Sequence, residues 1–255
     1  MSDLLLISNT RVANGAPILA HARDEIREIY GDRKVITFVP YARPGGITHE
    51  AYRDVLAQAF AEMGYQLRLP SETSPFSSIA SAEALFVGGG NTWHLLHMLQ
   101  QHALLSLIYE QVQVGIPYVG SSAGSNVAGL TINNTNDMHA ASVASTISLG
   151  CVPFNINPHY QETVTLTPEE REAVLAIAPQ LRVVLDHQGE TRDQRIKEYH
   201  ALGNREPVVA LREGAFVRVT DGNATLKGIT GGRLFRPGKE TIDLAPGTSL
   251  DTLLV

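Results

Sequence analysis

Ile116-Pro117-Tyr118-Val119-Gly120-Ser121-Ser122-Ala123-Gly124-Ser125-Asn126-Val127-Ala128-Gly129-Leu130 decides how this chain is read. An apolar run, a knot of small residues and a helix-compatible run follow one another. That order reads as buried strand, sharp turn and helix. Gly120 to Gly124 has the pattern G-x-S-x-G. In such a turn the middle serine lifts its hydroxyl above the edge of a sheet, and small neighbours relieve the crowded backbone. A helix starting there aims free N–H groups at an oxyanion forming beside the serine. A plain small-residue link between strand and helix has the same pattern, so the motif needs partners before it means chemistry.

Working towards the N-terminus, short apolar runs alternate with longer amphipathic ones. Leu4–Ser8, Val35–Val39, Tyr65–Leu69 and Ala84–Val87 read as strands, and Ile116–Val119 as a fifth. Pro17–Tyr30 has helical spacing, with Ile18, Leu19, Ala22, Ile26 and Ile29 on one side. Thr48–Met63 reads as a helix ending at Gly64, and another starts at Asn91. Strands alternating with helices imply parallel pairing and a sheet covered on both faces. Function then belongs at the C-terminal ends of the strands, where Gly88-Gly89-Gly90 and the Ser122 turn both fall.

Towards the C-terminus the character changes. Val208–Leu211, Ala215–Thr220, Ala224–Lys227 and Leu234–Arg236 are short strands separated by Glu213-Gly214, Asp221-Gly222-Asn223 and Gly231-Gly232. The middle turn is a hairpin signal. The expected fold is α/β, a mostly parallel doubly wound sheet with an antiparallel C-terminal extension that completes the sheet or packs beside it. With no repeat and no low-complexity linker, residues 1–255 read as a single domain.

Composition narrows the partners. The chain has 255 residues, 44% of them hydrophobic and 18% charged, enough for a substantial core. A net charge of −6 with no long basic run argues against nucleic acid and anionic membranes. No stretch approaches the ~20 apolar residues of a membrane span. Met1–Ile7 lacks a basic region, and its apolar run is too short for a signal peptide, so a cytoplasmic protein is expected. Cys151 is the single cysteine, which excludes an internal disulfide and a zinc site of several thiolates. His94 and His97 have a spacing that suits metal, but no carboxylate accompanies them, and no metal is expected. The Gly88–Thr92 loop lacks both G-x-G-x-x-G and a P-loop lysine, so no nucleotide cofactor is expected either.

A serine hydroxyl needs a base within reach, and the base needs an orienting acceptor. His21, His49, His102 and His200 fall in helices or at their ends, and His187 in a polar loop. His159 follows Phe154-Asn155-Ile156-Asn157-Pro158, a strand fragment ending in a proline turn, where catalytic groups are often held. Two acids compete to orient it: Asp137 in the polar loop Asn133–Asp137, and Glu213 at the end of an apolar strand. Turn capping and a solvated hairpin are their ordinary roles, and sequence does not rank them. Glycines at a strand end let backbone N–H groups approach a substrate. Gly89 and Gly90 suit one half of an oxyanion hole, and the amide of Ala123 the other.

Val87–Thr92, Gly120–Gly124, Thr135–Met138, Ile156–Tyr160 and Gly189–Arg195 occur in an order that resembles peptidase E, the α-aspartyl dipeptidase family of serine peptidases. The resemblance spans most of the chain. It implies a fold similar to class I glutamine amidotransferases, with serine in place of cysteine, and hydrolysis of dipeptides with an N-terminal aspartate. By the same resemblance Ser122 is the nucleophile, His159 the base and Glu213 the acid of a Ser-His-Glu triad. Asp137 matches an aspartate also proposed as catalytic in the family. Arg192, in Gly189-Glu190-Thr191-Arg192, matches the arginine that pairs with the aspartyl carboxylate. Small peptides are then the partners, no cofactor is implied, and a homodimer is compatible. Two departures stand out. Ser121 occupies the place of a tryptophan in enteric members, and residues 160–188 form a longer segment, expected to insert a helix from Thr167-Pro168-Glu169-Glu170 and a strand at Leu181–Leu185. The rivals are a cyanophycinase-like hydrolase of β-aspartyl-arginine bonds and a non-catalytic amidotransferase-like ligand-binding domain.

Overall fold

A computed structural model describes residues 2–162, 166–185 and 190–254. His187 and Gly189, singled out above, lie outside the described residues. The central sheet holds β1 (Leu4–Ile7), β2 (Val35–Val39), β3 (Gln66–Arg68), β4 (Leu85–Val87) and β5 (Tyr118–Ser121) in the order β3-β2-β4-β5-β1. All of these pair in parallel. Two further strands, β8 (Ala215–Thr220) and β9 (Asn223–Gly228), continue the sheet beyond β1 in antiparallel fashion.

Alternation along the strands decides the layers. Leu4, Leu6, Leu85, Val87 and Tyr118 enter one apolar cluster with the helices α3 (Pro75–Ala80), α4 (Thr92–Gln101) and α5 (Leu104–Gln113). Leu5, Ile7, Phe86 and Val119 enter the other with α1 (Arg23–Tyr30) and α2 (His49–Met63). The doubly wound, mostly parallel sheet expected from sequence is present. Local chemistry sets its helix ends: Thr48 accepts from the Ala51 amide at 3.2 Å, and Gly64, at φ +94°, ends α2.

The C-terminal strands both complete the sheet and build a second one. Its order is β11-β10-β7-β6, with β6 at Asn155–Tyr160, β7 at Val208–Arg212, β10 at Gly232–Phe235 and β11 at Ile242–Leu244. Most of it is antiparallel, but β6 and β7 pair in parallel. One face, with Ile156, Val209 and Leu211, joins the first apolar cluster. The other packs under Ile196 and Tyr199 of α9 (Arg192–Ala201).

Three local expectations are corrected. Pro17–Tyr30 is not one helix: Leu19 sits at φ +58°, fully buried, and α1 begins only at Arg23 after a short 3-10 turn. The fifth strand runs two residues further, to Ser121, because its pairing with β1 continues through Gly120 and Ser121. Thr167 and Glu170 do form a capping box on α7 (Pro168–Ile177). The strand expected at Leu181–Leu185 is instead a 3-10 turn, Pro179–Leu181, followed by the helix α8, Arg182–Leu185. Pro179 presets the helical φ, and the Leu181 amide closes on the Ala178 carbonyl at 3.0 Å, so the backbone bonds locally rather than to a sheet edge.

Candidate active site

The turn after β5 is the nucleophile-elbow shape. Ser122 holds φ +54° and ψ −112° between β5 and α6 (Ala123–Asn126). Its amide donates to the Ile7 carbonyl at 2.9 Å, and the Ser125 hydroxyl lies between the carbonyls of Ile7 and Gly120, at 2.7 and 2.8 Å. These bonds stitch the turn to β1. A Cβ at Gly124 would lie 2.1 Å from the Val87 carbonyl oxygen, so only glycine lets the turn pack on β4.

His159 lies on β6, also at φ +54°. Its amide donates to the Ser8 hydroxyl at 2.9 Å, and that hydroxyl donates to the Leu211 carbonyl at 3.0 Å. The ends of β1, β6 and β7 are thereby tied behind the imidazole. The His159 Nε2 is 2.9 Å from Ser122 Oγ, and its Nδ1 is 3.1 Å from Glu213 Oε1. Glu213 sits in the turn from β7 to β8, where the Asn9 side chain accepts from the Gly214 amide at 2.8 Å and Thr230 donates to the Glu213 carbonyl at 2.6 Å.

Asp137 is brought close but makes its hydrogen bond elsewhere. Its Oδ2 accepts from the Thr92 amide at 2.7 Å, at the start of α4. It lines a pocket of about 150 Å³ together with Ser122, His159 and Arg192. Burial pulls the Arg192 guanidinium below its usual range, and the charge of Asp137 opposes that pull. Arg192 opens α9, where Thr191 and Gln194 form a capping box. The acids flanking Arg192 are engaged elsewhere: Glu190 with Arg195, and Asp193 with Arg233 at 2.8 Å and with the Tyr160 hydroxyl.

Gly89 and Ala123 flank the serine. A Cβ on Gly89 would lie 2.9 Å from the Ser122 Cβ. Among the described residues, the amides of Gly89, Gly90 and Ala123 donate to no protein acceptor. Burial pushes the Cys151 thiol up to about 12, which leaves it protonated and a poor nucleophile. The rings of His94 and His97 are 6.4 Å apart, and His97 contacts the Ser142 carbonyl. Among the described residues, no group of three or more His, Cys, Asp or Glu is placed to hold a metal ion.

Sequence reasoning missed the residues that hold this site together. Ser8 and Asn9 carry a signal in hindsight, since two polar residues ending an apolar strand point to a working strand end. Thr92, Thr135, Asn136 and Pro158 complete the pocket lining. A larger hollow of about 860 Å³ adjoins it through Asp137 and Arg192, with Trp93, Glu198 and Leu202 on its walls.

The chain is similar to known peptidases along its length. A chain of Peptidase E from Shewanella denitrificans is 37% identical over 253 residues, covering 99% of both chains. A probable alpha-aspartyl dipeptidase of Drosophila melanogaster is 40% identical over 259 residues, covering 99% of this chain and 97% of its own. Among solved structures, a peptidase from an acI-B1 actinobacterium is similar with a TM-score of 0.68 at 16% identity, covering 98% of this chain and 96% of its own. A putative peptidase E of Listeria monocytogenes follows at 0.61 and 18%, covering 90% and 100%. At such identities these two show the fold alone. The sequence model of Peptidase family S51 matches residues 4–227, so the chain belongs to peptidase family S51.

Proposed function

We propose that this chain is a serine dipeptidase that removes an N-terminal aspartate from Asp-Xaa dipeptides. The observation that carries the reading is the hydrogen-bonded line from Ser122 Oγ through both ring nitrogens of His159 to Glu213, at 2.9 and 3.1 Å. Ser122 Oγ attacks the peptide carbonyl carbon and gives its proton to His159 Nε2. The carbonyl oxygen takes up negative charge beside the free amides of Gly89, Gly90 and Ala123. The C–N bond then breaks, and Nε2 returns the proton to the leaving amine. Water, deprotonated by the same nitrogen, then attacks the acyl carbon; the bond to Ser122 Oγ breaks, Nε2 returns the proton to Oγ, and aspartate leaves. Glu213 holds the imidazole in the tautomer that leaves Nε2 free to accept.

Arg192 supplies the selectivity. It lines the pocket that holds Ser122, and a guanidinium can grip a carboxylate with two parallel hydrogen bonds. The names of the relatives support the same substrate class. Hydrolysis of an aspartyl p-nitroanilide, run beside Ser122→Ala, tests the reading. Loss of the nucleophile is expected to cost on the order of 10⁴–10⁶ in kcat with the fold intact. A variant keeping more than about a tenth of the rate overturns the mechanism. Faster cleavage of β-aspartyl-arginine than of α-aspartyl dipeptides overturns the substrate.

A further inference from the structure

The glycine loop beside the nucleophile is held from behind by a side chain outside every motif in the sequence. Tyr52 lies on α2, 3% exposed. Its hydroxyl donates to the Gly89 carbonyl oxygen at 3.0 Å. That carbonyl and the amide of Gly90 belong to one peptide unit. The described residues contain no cis peptide bond, and in a trans peptide C=O and N–H point in opposite directions. A hydroxyl that pins the carbonyl towards the core therefore turns the Gly90 N–H out of it.

The neighbouring amides cannot substitute. Gly88 donates to the Val39 carbonyl at 3.1 Å, and Asn91 to the Ala42 carbonyl at 2.6 Å. Gly89 and Gly90 are left with free amides, and Gly89 is buried against Ser122 while Gly90 is exposed. The setting of the phenol is built. Phe38 meets its ring edge-on at 5.0 Å, and the Arg43 guanidinium lies 4.4 Å from its centroid. A Cβ at Gly88 would lie 2.7 Å from the hydroxyl oxygen, so glycine there keeps the path to Gly89 open. Phenylalanine would fill the same apolar space. The hydroxyl has Gly89 as its one hydrogen-bond partner among the described residues.

We infer that Tyr52 is a positioning residue for the oxyanion: its hydroxyl fixes and polarises the Gly89–Gly90 peptide so that the Gly90 N–H meets the charge developing on the substrate carbonyl. A hydrogen bond to C=O also makes the N–H of the same amide a better donor. The inference rests on the proposed attack by Ser122. Removing an oxyanion donor outright costs about 10²–10³ in kcat. Here the donor stays and only its support goes, so a smaller loss, about tenfold to a hundredfold, is expected.

The test compares Tyr52→Phe with Tyr65→Phe on Asp-Leu. Tyr65 is the control because its hydroxyl also bonds backbone carbonyls, those of Arg27 and Gly31, far from Ser122. Tyr52→Phe is expected to lower kcat by the stated factor, with KM and product aspartate binding within about twofold. An aspartyl aldehyde, whose adduct with Ser122 carries an oxygen at the oxyanion position, is expected to bind more weakly by a similar factor. Tyr65→Phe should leave all of these unchanged. A kcat within about twofold of wild type, unchanged aldehyde binding or an equal kcat loss in Tyr65→Phe overturns the inference. If the wild-type protein does not cleave Asp-Leu, the substrate reading falls, and Tyr52 is judged on acylation of Ser122 by p-nitrophenyl acetate. Slower acylation in Tyr52→Phe then sustains it, and equal or absent acylation overturns it.

Discussion

Ser122 and His159 both hold φ at +54°, where a non-glycine residue costs about 1–3 kcal/mol. Each strained residue is tied by bonds that no neighbour in sequence supplies: Ser122 to Ile7, and His159 to Ser8. The elbow was legible because its small residues are consecutive. The contact of Glu213 with His159 was not, because it spans 54 residues and a second sheet. Geometry separates the two candidates. Glu213 contacts the imidazole, whereas Asp137 spends an oxygen on the Thr92 amide and faces Arg192. An orienting acid acts by fixing the histidine tautomer, and its amide isostere leaves the wrong tautomer behind. Glu213→Gln is therefore expected to lower kcat more than Asp137→Asn, with both variants folded by circular dichroism. Steady-state kinetics with the ranking reversed would move the role to Asp137.

Among the elements, those with local start and stop signals were readable and those decided by pairing were not. Thr48, Asn91 and Thr167 each cap a helix where a short polar residue precedes an apolar or acidic turn. By contrast, the parallel contact of β6 with β7 joins segments about fifty residues apart, and nothing in either strand announces it. The helix α9 shows what element placement does for chemistry. Its cap sets Arg192 at the first helical position, and the bonds of Asp193 to Arg233 and Tyr160 fasten that end to the second sheet, beside His159. Both acids next to Arg192 in sequence are thereby occupied, leaving its guanidinium for the pocket. Losing one member of a buried charge pair costs about 2–5 kcal/mol. Arg192→Ala should then lower kcat/KM for Asp-Leu by about thirtyfold to several thousandfold, and for Asn-Leu far less. An equal proportional loss on the two peptides would mean that Arg192 supports the catalytic geometry rather than reading the aspartyl charge.

At the scale of the whole molecule, the site exists only because two sheets are held in one register. Ser122 comes from the central sheet, His159 and Glu213 from the second, and the loop carrying Asp137 lies across the gap. The apolar cluster shared by the sheets is non-directional and does not by itself fix their alignment. Buried asparagines supply the direction. Asn126, at the end of the short helix that follows Ser122, donates to the Ile156 carbonyl at 2.6 Å and to Asn134 at 3.3 Å. Asn134 donates to Ile156 at 3.0 Å, and Asn157 donates to the Asn134 carbonyl at 2.7 Å. In sequence the run Asn133–Asp137 reads as a polar loop, because polar composition signals a turn unless the buried partner is known. Asn134 is in fact 6% exposed, whereas Asn133 is exposed. Removing a buried hydrogen-bonding side chain costs about 1–3 kcal/mol, while an exposed substitution stays within about 0.5 kcal/mol. Asn134→Ala should accordingly lower Tm by about 3–10 °C, and Asn133→Ala should barely move it. The same variant should lose activity at temperatures well below its Tm, because the loop and β6 carry Asp137 and His159. Calorimetry and kinetics on both variants check this. A Tm drop with full activity at low temperature would show that the seam stabilises the molecule without aligning its site.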